Sequence, residues 1–179
     1  MAELGLEAWH DFYLIVGGAA AGLTGLMFVV VTLAPNVIAR RGLSGVRGFI
    51  TPTVVFLTTN MFVSAVMTFP VITAPVVAVT LGCAGVGGVV YILVIGTHRQ
   101  WREGNLPIED WFGYVGLPIL GYSVLATGAG LLLPHPVAGL SLVGAANILF
   151  LVVAVRNAWD LVLWMAKRSG EAKAAGKAD

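Results

Sequence analysis

Residues 12–34 read FYLIVGGAAAGLTGLMFVVVTLA, an uncharged run long enough to decide the fold. At about 1.5 Å per residue, an α-helix of this length crosses the roughly 30 Å hydrocarbon core of a bilayer. One face of that helix carries small residues at positions i, i+3, i+4 and i+7, namely Gly18, Ala21, Gly22 and Gly25. Membrane helices approach one another closely where such residues lie. We therefore expect the first helix to be buried against the others through this face.

The composition of the whole chain excludes an ordinary soluble domain. Of its 179 residues, 58% are hydrophobic and 11% are charged, whereas soluble domains carry about 25% charged residues. The formal net charge of +1 gives no reason to expect a nucleic-acid partner. The single cysteine, Cys83, cannot form an internal disulfide and is expected to act as a small apolar residue. The sequence thus predicts an all-α integral membrane protein with a single transmembrane domain.

Five apolar segments are expected to cross the membrane, at 12–34, 49–69, 76–96, 111–133 and 137–158. Pro70 and Pro75 bracket a tight turn between the second and third spans, and Pro-His-Pro at 134–136 forms another turn. Pro52 is placed in the first turn of its helix, where a missing N–H costs little. Pro118 is expected to kink or loosen the fourth span.

The basic residues predict the orientation of these spans. With five spans, all ten Lys and Arg residues fall on one side of the membrane: Arg40, Arg41, Arg47, Arg99, Arg102, Arg156, Lys167, Arg168, Lys173 and Lys177. Cytoplasmic loops are enriched in Lys and Arg, so we expect the N-terminus outside and the C-terminus in the cytoplasm. The polar residues 169–179 are expected to form a disordered cytoplasmic tail.

Residues that could carry catalysis are sparse. No Asp, Glu, Lys or Arg lies in the middle of an expected span, which argues against a proton-coupled transporter. The Gly-rich segment LGCAGVGGVV at 81–90 follows no strand, so we interpret it as helix-packing positions rather than a phosphate loop. We expect neither enzymatic activity nor a cofactor.

The second span carries a polar face made of Thr53, Asn60, Ser64 and Thr68, at spacings of seven, four and four residues. Such a face could line a hydrated solute path, because hydroxyl and amide groups can replace water of hydration. Alternatively, it could form hydrogen bonds between helices, with Asn60 pairing with Asn147 of the fifth span or with a free carbonyl. We favour the second interpretation, because Ser, Thr and Asn commonly link membrane helices.

Two further groups of polar residues lie near the expected membrane surfaces. At the outer surface, His10, Asp11 and His135 could jointly hold a metal ion, since imidazole and carboxylate are common ligands. The alternative is that they are ordinary interfacial polar residues. At the cytoplasmic surface, the last helix carries a basic and aromatic end with Arg156, Trp159, Asp160 and Trp164. Its expected role is to anchor the helix at the headgroups, and the alternative is to bind a cytoplasmic partner.

The opening WHDFYLIVGGAAAGLTGLMFVVVTL, residues 9–33, resembles the start of a broad set of small bacterial polytopic membrane proteins of uncharacterised function. The shared features are an aromatic pair, a Gly/Ala run, Leu-Thr-Gly-Leu and Phe-Val. The resemblance covers about one span. It implies a bacterial inner membrane and supplies no catalytic residues.

Two functional hypotheses follow from these patterns. The first is a small homo-oligomeric channel or passive transporter for ions or small solutes, with the polar face of the second span near the path. The second is a non-catalytic membrane subunit or regulator, whose Gly-rich faces pack against a partner membrane protein. A membrane enzyme or haem protein that uses the outer histidines is the weakest alternative.

Overall fold

The described part of the chain folds into five α-helices. The computed structural model describes residues 6–33, 43–103 and 115–175. The helices are α1 (Leu6–Leu33), α2 (Leu43–Thr68), α3 (Ala74–Glu103), α4 (Leu117–Leu131) and α5 (Pro136–Ala175). No strand occurs within these three ranges, which confirms the all-α class.

Three of the helices are long and apolar enough to cross a membrane. Their apolar segments are Trp9–Thr32, Ala74–Val94 and Pro136–Asp160, with 24, 21 and 25 residues. Within the described residues, the other two helices carry shorter apolar segments, Pro52–Thr68 and Leu117–Leu131. A segment of about 20 apolar residues matches the thickness of the hydrocarbon core. The lengths and composition of these helices therefore support the prediction of a membrane protein.

Helices α2 and α5 form the centre of the bundle. α1 packs mainly on α2, α2 packs on α5, and α5 packs on α4, which in turn carries α3. Three aromatic rings meet where α2, α4 and α5 converge. The ring of Phe150 lies 4.6 Å from that of Tyr122 and 6.4 Å, nearly parallel, from that of Phe56. Both centroid separations fall in the range of favourable aromatic pairs.

Glycines allow α3 and α4 to approach closely, as expected for the Gly-rich segment 81–90. A Cβ atom added at Gly85 would lie 2.7 Å from the backbone nitrogen of Ala126. One turn later, the ring of Tyr122 occupies the space that a side chain at Gly88 would need. Because backbone cannot move aside as a flexible side chain can, Gly85 fixes the separation of the two helices.

The small-residue face of α1 does not pack as expected. Gly18, Ala21, Gly22 and Gly25 are all exposed, and a Cβ atom added at any of these three glycines would meet nothing within 4 Å. The expectation that this face buries α1 against the other helices is therefore wrong.

The opposite side of α1 makes the contact with the bundle instead. Tyr13, Ala20 and Met27, spaced seven residues apart, are buried there. A Cβ atom added at Gly17 would lie 2.7 Å from Cβ of Ser64 in α2. Both sides of α1 are apolar, so hydropathy could not distinguish them. The side with Gly17 is the one that fits closely against α2.

The helix boundaries differ from the expected spans in three places. α2 begins at Leu43, so Pro52 lies inside the helix and removes one of its i→i−4 hydrogen bonds. The α-helical part of α4 begins at Leu117, directly after two π-helical residues, 115 and 116, so Pro118 lies in its first turn, where proline is well tolerated. α5 continues to Ala175, because residues 171–175, EAKAA, are mostly strong helix formers. Only residues 176–179 of the expected disordered tail lie outside the described part of the chain.

The two expected turns are confirmed. α2 ends at Thr68 and α3 begins at Ala74, so the short connection contains Pro70, whereas Pro75 lies in the first turn of α3 rather than in the connection. Leu132 to His135 connect α4 to α5, with the backbone N–H of His135 donating to the carbonyl of Leu131 at 2.9 Å.

The substitution Gly85→Ala is expected to destabilise the protein by about 1–3 kcal/mol, since the added methyl group meets the backbone of Ala126. Gly87→Ala on the same helix is the matched control, because a Cβ atom there meets nothing within 4 Å. It should leave the stability within about 1 kcal/mol of the original, with a bias towards stabilisation from higher helix propensity. Unfolding titrations in detergent measure both values, and equal effects would contradict the close packing of α3 and α4.

Candidate functional site

A cluster of buried polar side chains joins the two central helices. Asn60 Nδ2 in α2 donates a hydrogen bond to the backbone carbonyl oxygen of Asn147 in α5, at 2.6 Å. Asn147 Nδ2 in turn donates to Ser64 Oγ, one turn further along α2, at 3.0 Å. We call Asn60, Ser64 and Asn147 the amide cluster. The expected link between Asn60 and Asn147 is present in the structure.

Burial shows which of the two interpretations of this polar face the geometry favours. Asn60 and Asn147 have 0% of their surface exposed, and Ser64 has 4%. A group that lines a hydrated path must touch water, whereas a group that links two helices is enclosed by them. Within one copy of the chain, the burial of the amide cluster therefore favours hydrogen bonding between helices over the lining of a hydrated path.

The amide cluster does not satisfy all of its own hydrogen-bonding capacity. The side-chain oxygens of Asn60 and Asn147 are buried and have no hydrogen-bond partner in the structure. A buried acceptor without a partner loses the hydration that it has in water, which offsets part of the gain from the hydrogen bonds formed. The main effect of the cluster is therefore to determine which faces of α2 and α5 meet, and its net contribution to stability is smaller.

The other two residues of the expected polar face use their side chains differently. Thr53 is fully buried near the start of the apolar part of α2. Thr68 Oγ1 donates to the backbone carbonyl of Ser64 at 2.9 Å, within its own helix. Thr53, Asn60, Ser64 and Thr68 thus lie on one face of α2, but they do not present a continuous row of free polar groups.

Sequence reasoning missed a second polar link, between α2 and α4. The hydroxyl groups of Thr59 and Tyr122 lie 2.9 Å apart and form a hydrogen bond. Thr59 also donates to the carbonyl of Val55, 2.9 Å away in its own helix. The signal available in the sequence was Thr59 itself, a polar residue beside Asn60 that points in a different direction from the expected face.

Near the beginning of α1, aromatic side chains pack on α5. Tyr13 Oη lies 3.5 Å from the carbonyl oxygen of Leu140. Gly144 provides the space for Trp9, since a Cβ atom there would lie 2.8 Å from the indole ring. The rings of Trp9 and Phe12 are perpendicular, with centroids 5.5 Å apart. These contacts bring the beginnings of α1 and α5 together.

The structure does not assemble the expected metal ligands into a cluster. His10 Nδ1 and Asp11 Oδ1 are 3.3 Å apart on the exposed surface of α1. His135 lies, also exposed, in the turn before α5. Among the described residues, no group of three or more His, Cys, Asp or Glu side chains is arranged to hold a metal ion. The geometry adds no support for a metal site at the start of α1.

Three of the expected anchor residues, Arg156, Trp159 and Asp160, lie at the end of the apolar segment Pro136–Asp160 of α5. Arg156 and Trp159 are exposed, whereas Asp160 is half-buried and engaged in an interaction of its own. The side chain of Trp164 lies outside the described part of the chain. An exposed Trp beside an exposed Arg suits a membrane–water interface.

No protein-family model, curated protein or solved structure matches this chain. The functional proposals therefore depend on the geometry of the chain itself.

The amide cluster predicts that Ser64 and Asn147 are energetically coupled. Ser64→Ala should cost about 1 kcal/mol of unfolding free energy, because the buried Asn147 amide loses its acceptor. The same substitution should cost much less in an Asn147→Leu background, where no donor is left unpaired. A double-mutant cycle in detergent measures the coupling.

Ser141→Ala is the matched control for this cycle, since the exposed Ser141 hydroxyl donates to Val137 within its own helix. It should change stability equally in both backgrounds. Additive effects of Ser64→Ala and Asn147→Leu would show that the hydrogen bond does not link the helices.

Proposed function

We propose that this protein is a non-catalytic subunit of a bacterial inner-membrane complex, in which the small-residue face of α1 binds another transmembrane helix. That face consists of Gly18, Ala21, Gly22 and Gly25. The observation that carries the proposal is its exposure: a Cβ atom at any of the three glycines would meet nothing within 4 Å. The partner is either a second copy of the chain or another membrane protein.

The cost of the glycines supports this proposal. Glycine inside a helix is less stable than alanine by about 0.5–1 kcal/mol, because more backbone freedom is lost on folding. At Gly17 and Gly85 the missing side chain allows close contacts between helices of the chain, which offset that cost. Gly18, Gly22 and Gly25 make no such contact. Gly18 and Gly22 have the four-residue spacing at which two transmembrane helices approach backbone to backbone.

The oligomeric channel draws less support from the geometry. Its expected path uses the polar face of α2, whose Thr53, Asn60 and Ser64 are at most 4% exposed. Two outward hydroxyl groups, on Thr127 and Ser141, are engaged with carbonyls one turn earlier in their own helices. A pore between copies would need polar groups that are free to contact water or ions.

The membrane arrangement proposed for this subunit has five spans, with the N-terminus outside and the C-terminus in the cytoplasm. Its support is the placement of all ten Lys and Arg residues on one side. Among the described elements, α4 is the shortest α-helix, with 15 residues, and residues 115–116 directly before it are also helical.

Leucine at both Gly18 and Gly22 is expected to abolish association without unfolding the chain. The two side chains would block close approach of a second helix, yet they meet nothing within the fold itself. Native mass spectrometry of the full-length protein, released from nanodiscs made with its own membrane, measures the subunit count. The original protein should carry a second transmembrane subunit, and the Gly18→Leu/Gly22→Leu variant should be a monomer.

Gly87→Leu on α3 is the matched control, because that glycine is also exposed and open. The control should keep the second subunit. A monomeric original protein, or association that survives both leucines, would contradict the proposed function.

A further inference from the structure

An apolar groove opens between α1 and α5, over a floor that α2 provides. Leu57 of α2 and Met27 of α1 lie at its base, and Leu23 and Val30 line one wall. The other wall belongs to α5 and includes Ala158 and Val162. Its volume is about 320 Å³, near the lower limit of about 300 Å³ for small-molecule sites. Each lining residue in the described part of the chain is apolar or an exposed tryptophan.

Side chains join α1 and α5 directly on one side of the groove. There, Tyr13 of α1 reaches the Leu140 carbonyl of α5, and Trp9 lies on Gly144. Both helices run in the same direction from there, and the groove begins about ten residues further along each of them. In the orientation proposed above, the groove lies in the cytoplasmic leaflet.

We propose that this groove binds one acyl chain of an anionic phospholipid. The inference rests on the membrane insertion and orientation proposed above, but not on the binding role of the α1 face. The lining offers no polar partner apart from the Trp159 indole, so the occupant of the groove must be hydrocarbon. In the cytoplasmic leaflet, lipid tails are the hydrocarbon that is always present.

The dimensions of the groove favour an acyl chain over a helix from a second copy. The wall from Leu23 to Val30 is about 10 Å long at 1.5 Å per residue. A transmembrane helix is about 30 Å long, so it would contact this groove over only about a third of its length. An acyl chain is flexible and can bend into a recess of that length.

The charges around the groove favour an anionic headgroup. Arg156 is exposed on α5, one turn before Trp159, which lines the groove and is 63% exposed. Indole rings favour the headgroup level, and basic residues attract anionic lipids of the cytoplasmic leaflet. In the sequence, Arg40 and Arg41 follow the end of α1, and Lys167 and Arg168 follow the groove residues in α5. Asp160, the acidic residue nearby, is half-buried and already has an interaction partner.

Native mass spectrometry of the full-length protein tests this proposal. The protein is released from nanodiscs that contain equal amounts of phosphatidylglycerol and phosphatidylcholine with identical acyl chains. We expect one retained phosphatidylglycerol per chain. Ala158→Phe and Val155→Phe place a ring in the groove, and each should lower the retention of phosphatidylglycerol by about tenfold or more. A tenfold loss corresponds to the free energy of burying fewer than about two methylene groups. Arg156→Gln should remove the preference for phosphatidylglycerol but keep a bound lipid.

Ala145→Phe is the matched control, since Ala145 is exposed on α5 and does not line the groove. It should retain the lipid. Val155 is 46% exposed, so its variant tests the groove even where Ala158→Phe fails to fold. The proposal would be overturned by an original protein without a retained anionic lipid, by groove variants that retain it fully, or by groove variants that release a protein subunit instead.

The same spectra separate this proposal from the proposed function. A monomer that keeps its lipid refutes the binding role of the α1 face and leaves the groove intact. A complex without a retained lipid refutes the groove and leaves the binding role of the α1 face intact.

Discussion

The contact between α2 and α5 is the one on which the rest of the bundle depends. α1 is attached mainly to α2, and α3 is attached mainly to α4, which packs on α5. The contact between α2 and α5 is the most extensive link between these two groups of helices, and smaller contacts of α1 with α5 and of α2 with α4 add to it. In hydrocarbon no hydrophobic force draws helices together, so packing and hydrogen bonds must do so. The amide cluster provides the hydrogen bonds, and the rings of Phe56 and Phe150 provide the packing beside them.

Small residues serve two different purposes in this chain. Gly17, Gly85 and Gly144 lie under side chains or backbone of neighbouring helices and set the distances within the bundle. Gly18 and Gly22 lie on a face that no part of the described chain covers. Two adjacent glycines, Gly17 and Gly18, belong to different groups because successive helical residues point about 100° apart. This division separates the residues that build the fold from those that we assign to binding.

Much of the fold could be predicted from sequence, because long apolar runs and prolines have few alternative structures in a membrane. The apolar runs predicted the helices, and Pro70 marked a turn. Asn60 and Asn147 could be paired in advance, since an amide in an apolar span needs a partner in another helix. The packing side of α1 could not be predicted, because both of its sides are apolar and only the shape of α2 distinguishes them.

Other parts of the site depended on information that the sequence does not contain. The link between Thr59 and Tyr122 requires the rotation of α2 relative to α4, which periodicity within a single helix does not determine. The groove between α1 and α5 lies further along the two helices than the contact of Tyr13 with Leu140, and the relative placement of the helices that forms it is not encoded in the periodicity of either one. Pro52 suggested a helix start, yet α2 begins at Leu43, nine residues earlier.

In the proposed arrangement, all five helices cross the membrane and the N-terminus lies outside. Site-directed cysteine labelling with a membrane-impermeant reagent, in a Cys83→Ala background, tests it most directly. Ala2→Cys and Val71→Cys, the latter in the 85% exposed turn between α2 and α3, should react from outside intact cells. Ser169→Cys should react only after permeabilisation. A cytoplasmic Val71→Cys would show that α2 does not cross, and reactivity of Ser169→Cys from outside would contradict the proposed orientation.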